Sequence, residues 1–348
     1  MKKFLCRFLV VLLAALTPNI LMGLYRLKVR DKLLPFTFNL NNDSMIPGLP
    51  HKSKRDTSYV DVVPGDLSGE PLIEHPALLI EDKYRFVNEQ PNPSPEILLC
   101  GDSFFRSKRD NVSSGLQARI NELFNRNISY SLGGAFCSGF KVYNELLKLG
   151  EISPPKIIVL EVVERNLGAW KNLSLQLINN ETKTVPYKYY GLDFLIGNNF
   201  RDINIEWHKN VLLRIGRISN GNSKVINGKK IHFMNNKVTL YERKFLDGIV
   251  RELQKTRDIL KGRHIELVVI IAPDKETLYP EIFGISSLDT FHDLMSKAGI
   301  HNINLRSELS RDPAHFYFNG DSHWNSYATN ILAIELKKYV TDNKLLSK

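Results

Sequence analysis

The sequence predicts an α/β fold, a central parallel sheet covered by helices on both sides, joined to an N-terminal transmembrane anchor. Three observations carry this expectation. Short apolar runs recur from residue 97 to residue 305, separated by stretches of helical periodicity. Several of these runs are apolar on both faces for much of their length, as strands buried on both sides must be. The chain also opens with an apolar run of bilayer length. Of 348 residues, 43% are hydrophobic and 24% charged, a globular composition that excludes a wholly disordered, collagen-like or multi-span membrane chain.

The elements follow in order. Lys2, Lys3 and Arg7 precede the run from Phe8 to Tyr25 (FLVVLLAALTPNILMGLY), and Pro18 is tolerable in a spanning helix. No small-x-small cleavage site follows, and Arg26, Lys28, Arg30 and Lys32 continue beyond it. Residues 1–32 therefore read as an uncleaved anchor, with a cleaved signal peptide or an amphipathic N-terminal helix as alternatives. Nearly balanced flanking charge leaves orientation open. Residues 33–95, rich in Pro, Asn, Ser and Asp, read as a stalk and entry segment.

From residue 96 to 348 the pattern is that of one domain. Strands are expected at Ile97 to Cys100, Ile128 to Leu132, Lys156 to Val163 (KIIVLEVV), Glu266 to Ile271 (ELVVII) and Asn302 to Leu305. Helices are expected at 112–124, 243–261, 287–298 and 325–343. Between about 167 and 242 the pattern weakens, with many Asn and Lys, the aromatic residues Trp170, Tyr187, Tyr189, Tyr190 and Trp207, and a turn-like Asn227-Gly228. This reads as an insertion beside the sheet.

Open α/β sheets place their chemistry beyond the carboxyl ends of the strands. Gly101-Asp102-Ser103 directly follows the first strand, where a small residue permits a tight turn and a serine hydroxyl can be presented. Asp102 or Ser103 could equally serve as a plain helix cap. Asp321-Ser322-His323 lies just before the last helix. A serine needs an imidazole to take its proton, and the imidazole needs a carboxylate to set its tautomer. The two strings together point to a catalytic triad of Ser103, His323 and Asp321.

The sequence resembles the SGNH (GDSL-type) hydrolases, and within them the alginate O-acetyltransferase AlgJ/AlgX family. GDSFF, with Ser103, resembles the block that carries the nucleophile; SLGGAF, with Gly133 and Gly134, resembles the block that offers a backbone oxyanion donor; DSHWN resembles the family's DxHW motif. VLEVVERNL, with Glu161, Glu164 and Arg165, is similar to its WEIPER-like segment, and IAPDKETLYPE is similar to its PxKxxxYPE segment. The resemblance implies an SGNH-hydrolase-like three-layer sandwich. It further implies an oxyanion hole built from the amides of Ser103 and Gly133 or Gly134, with Arg165 or Asn166 in place of the usual asparagine. Lys275, Tyr279 and Trp324 are candidates to contact substrate. In the alginate enzymes the Asp-His motif precedes the serine, whereas here Ser103 comes first, so substrate identity does not carry over.

The implied activity is O-acetyl transfer to a cell-surface polysaccharide through an acyl-serine, with a carbohydrate esterase or a non-catalytic glycan-binding subunit as alternatives. The charge balance, 47 basic against 37 acidic residues for a net +10, suits an acidic glycan. Nucleic acid is not expected as a partner, for no basic recognition motif accompanies the charge. A membrane-bound O-acyltransferase is implied as acyl supplier, and the domain is expected in the periplasm or outside the cell, tethered to the inner membrane. No cofactor or metal is expected: the three cysteines, Cys6, Cys100 and Cys137, form no Cys-x-x-Cys or Cys/His cluster. Cys100 is expected as buried filler, able to meet Cys137 if their strands are neighbours.

Overall fold

Seven consecutive buried residues at Ile157–Val163 show how the sheet is built: a strand apolar on both faces finds no favourable place except between two layers. The computed structural model describes residues 57–61, 77–82, 86–105, 115–133, 139–178 and 222–346. Residues 1–32, most of the stalk and residues 179–221 lie outside the described residues, as do Gly134, Cys6, Cys137, Tyr187, Tyr189, Tyr190 and Trp207. Among the described residues no helix is long and apolar enough to cross a membrane. All of them belong to one unit, Met45–Asn180 with Ser219–Lys348.

In chain order the strands are β1 (Thr57–Asp61), β2 (Ala77–Glu81), β3 (Ile97–Gly101), β4 (Ser129–Gly133), β5 (Ile157–Val163), β6 (Asn222–Ile226), β7 (Lys229–Phe233), β8 (Glu266–Ala272) and β9 (His301–Ile303). Five of them form one parallel sheet in the order β4-β3-β5-β8-β9. Strands β1 and β2 make a separate antiparallel pair, and β6 and β7 a hairpin.

Alternate residues of each central strand face opposite layers. Leu98, Cys100, Ile158, Leu160, Leu267 and Val269 pack against Phe140, Leu146, Leu253 and Phe291, from helices Gly139–Lys148, Arg243–Lys261 and Leu288–Lys297. Ile97, Leu99, Ile157, Val159, Val268 and Ile270 pack against Ile120, Leu332 and Leu336, from helices Leu116–Phe124 and Ser326–Asp342. Three layers result. Each fully buried aliphatic side chain contributes about 1.5–3 kcal/mol of transfer free energy.

The topology locates the crevice. From β3 the chain crosses one face to its neighbour β4, then returns over the other face to β5 on the opposite side of β3. The order thus reverses between β3 and β5, and open α/β sheets hold ligands at the carboxyl ends of such a pair.

The segment expected as an insertion is described only at its two ends. Trp170, Leu173 and Leu177 are buried in one apolar layer, and Ile231, Phe233 and Val238 in the other, so residues 164–178 and 222–238 are built into the domain. The β6–β7 hairpin closes through Asn227 (φ 50°) and Gly228 (φ 75°), the two left-handed residues of a type I′ turn. The last strand spans His301–Ile303, ending two residues short of the expected Leu305.

Candidate active site

The serine turn grows out of β3. Gly101 must be glycine, because a Cβ there would lie 2.4 Å from Glu161 Oε2 and 2.8 Å from the Phe105 ring. Asp102 then ties the turn internally. Its Oδ1 accepts the Phe104 N–H at 2.9 Å, its Oδ2 accepts the Val163 N–H of β5 at 3.0 Å, and its own N–H donates to Glu161 Oε2 at 2.9 Å. The Phe105 N–H closes the turn on the Asp102 carbonyl at 3.2 Å. Asp102, Phe104 and Phe105 are buried, while Ser103 between them is exposed. Asp102 therefore organises the turn, and the next described helix begins at Leu116.

The second half of the site lies between helix Pro313–Phe316 and helix Ser326–Asp342. Tyr317 and Trp324 form an antiparallel bridge, and Phe318 N–H reaches the His323 carbonyl at 3.3 Å, so the chain doubles back on itself. Asn325 caps the last helix by accepting the Tyr327 and Ala328 N–H groups. Within this loop the buried Asp321 Oδ1 accepts the His323 backbone N–H at 2.9 Å and lies 2.5 Å from His323 Nδ1. His323 Nε2 lies 2.7 Å from Ser103 Oγ, across 220 residues of sequence. An ionised carboxylate only accepts, so Nδ1 carries the proton and Nε2 offers its lone pair to the serine hydroxyl.

Aromatic contacts steady this alignment. The Phe104 ring lies 4.9 Å from the imidazole, and Trp324 packs edge-on against Phe104 at 5.0 Å. Trp324 Nε1 donates to the Phe104 carbonyl at 3.0 Å, which stitches the histidine loop to the serine turn.

The remaining expected site residues divide. Gly133, at the end of β4, is paired with Gly101, so the chain leaves both strands side by side, and its N–H donates to Ser131 Oγ at 3.1 Å. Arg165, expected as an oxyanion donor, instead turns its guanidinium to Asp274, with Nη2 3.5 Å from Ser322 Oγ and Cζ 5.8 Å from the Phe104 ring centre. Asn166 is half-buried on the 3₁₀ segment Glu164–Asn172.

The three residues expected to contact substrate, Lys275, Tyr279 and Trp324, are all buried. Lys275, 2% exposed, donates to the carbonyls of His232 at 3.0 Å, Phe318 at 2.7 Å and Asp321 at 2.5 Å. An ammonium with three donors is well matched to such a nest. It locks the aspartate loop to the hairpin. Tyr279 packs on Phe233, and Trp324 lies in the same apolar layer.

Two buried acids near the crevice were not singled out for any role. Burial, and then the neighbouring Asp102 charge, pushes the Glu161 carboxyl well above the usual carboxylate range. Burial, and then the Asp274 charge, raises Glu164 to about 7. A lone Glu inside the apolar run IIVLEVV was the signal that could have found the first. Among the described residues no group of His, Cys, Asp or Glu could hold a metal ion.

Comparison with known proteins bears on the C-terminal third. Residues 233–347 match the family model ALGX, described as the SGNH hydrolase-like domain of acetyltransferase AlgX. That span includes Lys275, Tyr279, Asp321, His323 and Trp324 and excludes Ser103, Gly133 and Arg165. No curated protein matches the chain. Among solved structures, a protein from Bacteroides fragilis NCTC 9343 described as a "putative acylhydrolase" is similar at 11% identity, with a TM-score of 0.35 over 74% of this chain and 91% of its own.

Proposed function

We propose that this chain is an O-acetyltransferase of cell-surface polysaccharide that works through an acyl-serine intermediate. The observation that carries the reading is the continuous hydrogen-bond chain from Ser103 Oγ through His323 to Asp321. His323 Nε2 takes the hydroxyl proton as Ser103 Oγ attacks the acetyl carbonyl of the donor ester or thioester. A tetrahedral oxyanion forms and collapses, the donor's carbon–oxygen or carbon–sulfur bond breaks, and the leaving group receives the proton from His323. A sugar hydroxyl then gives its proton to His323 and attacks the acetyl-serine, and the ester passes to the glycan while Ser103 regains its proton.

Oxyanion stabilisation is assigned to the backbone amides of Ser103 and Gly134, the Gly133 N–H being donated to Ser131 Oγ. Arg165 serves through its Asp274 pair as a brace behind the Ser322 loop. The net charge of +10 supports an acidic polysaccharide as acceptor. Residues 1–32 would tether the domain to the inner membrane, with its body in the periplasm, within reach of a membrane-bound O-acyltransferase that supplies acetyl groups.

The test is direct. The full chain in detergent is incubated with a chromogenic acetyl ester, with and without oligosaccharide acceptors, and Ser103 is followed by mass spectrometry. Acetyl on Ser103 that passes to the acceptor, with both events lost in Ser103→Ala, is the expected result. Rapid ester loss with unaltered acceptor would make the protein an esterase. A wild-type chain that never carries acetyl on Ser103 would remove the acyl-enzyme altogether.

A further inference from the structure

Glu161 is the one charged residue of β5, flanked by apolar neighbours and 2% exposed. Leucine or methionine would fill its place without the cost of burying a polar acid. Room is made for it instead: Gly101 lacks the side chain that would collide with Glu161 Oε2. The carboxyl reaches under the serine turn, where Oε2 accepts the Asp102 N–H at 2.9 Å.

Burial, and then the Asp102 carboxylate beside it, favour the protonated form of Glu161. Asp102 spends both its oxygens accepting backbone N–H bonds, from Phe104 and Val163. The proton therefore sits on Glu161. Glu161 Oε1 is fully buried and accepts from no donor among the described residues, the place a carboxyl O–H would take. A protonated Glu161 grips the turn twice, accepting from the Asp102 amide and donating to the Asp102 carboxylate.

We propose that Glu161, as a neutral carboxylic acid, is a positioning residue for the nucleophile, fixing from below the turn that presents Ser103 Oγ to His323 Nε2. The inference rests on the reading of Ser103 as the nucleophile. It touches neither substrate nor the reacting atoms and acts only through Asp102.

The experiment times modification of Ser103 by a serine-directed fluorophosphonate in the full chain and in its Glu161→Gln and Glu161→Leu variants, with melting temperatures recorded alongside. Glutamine keeps an uncharged donor and an acceptor, so Glu161→Gln is expected to react at close to the wild-type rate. Glu161→Leu keeps the volume and loses both bonds, and is expected to react about 100-fold more slowly, the scale of an ångström misplacement. Equal rates in wild type and Glu161→Leu overturn the inference, and so does a Glu161→Gln variant as slow as Glu161→Leu. Folded wild type that leaves Ser103 unmodified sinks the functional reading and takes this inference with it, a result recognised without any variant. Should Glu161→Leu fail to fold, the infrared difference between wild type and Glu161→Gln decides. A buried protonated-carboxyl stretch lost in the variant supports the inference, and its absence from wild type overturns it.

Discussion

Ser103 is exposed in a turn whose flanking residues are buried, so a surface hydroxyl inherits the rigidity of the core beneath it. Asp321 plays the matching part for His323, holding both its backbone N–H and its Nδ1. Asp321→Asn keeps the shape but offers Nδ1 an amide donor, which favours the tautomer with Nε2 protonated. Its reaction with a chromogenic ester at Ser103 is expected to slow about 10⁴-fold with little change in melting temperature, the scale for a wrongly protonated triad histidine. Ser103 was legible in sequence because it follows a buried strand, and Asp321 and His323 because their residue types stand together just before the last helix. Glu161 and Lys275 were not legible in the same sense. What each does depends on the atoms facing it, the Asp102 turn for one and three carbonyls of distant segments for the other, and no local spacing encodes that.

Among the elements, β3 and the loop gripped by Lys275 carry the most testable consequences. Gly101→Ala forces a methyl group against Glu161 Oε2 and Phe105, an overpacking expected to cost about 1–3 kcal/mol in urea denaturation. The same variant should lose Ser103 reactivity more than its stability loss explains, since the displaced atoms belong to the turn. Lys275→Met leaves the carbonyls of His232, Phe318 and Asp321 without their shared donor. At about 1–3 kcal/mol for each buried acceptor left bare, a loss of about 3 kcal/mol or more is expected, read as a lower urea midpoint. The central strands were legible because burial on both faces makes them nearly continuous apolar runs. The β6–β7 hairpin was legible only at its Asn227-Gly228 turn. Most of β6 is exposed, and Lys and Asn dilute its alternation below what a periodic pattern can show.

For the molecule as a whole, buried acids set how stability responds to pH. Glu164 ionises near 4.5 when unfolded and at about 7 in the fold, where it accepts from Thr277 Oγ1 and the Asp274 N–H. The folded-state pKa is the higher one. Its contribution to stability is therefore fully present below about pH 4.5 and is lost as pH rises through about 7. Glu164→Gln keeps an acceptor and never ionises. Its melting temperature relative to wild type should rise between pH 5 and pH 8, and a gap that stays constant across that range would refute the assignment. The three-layer architecture was legible because it follows from hydrophobic patterning spread over the whole chain. The anchoring of residues 164–178 and 222–238 was not, because it depends on a few buried aromatics and aliphatics set among polar neighbours. The separation of 220 positions between Ser103 and His323 also carries a consequence for biosynthesis. The hydroxyl leaves the ribosome long before its hydrogen-bond partner exists. A nascent chain therefore lacks the pair, which forms only when the loop before the last helix docks.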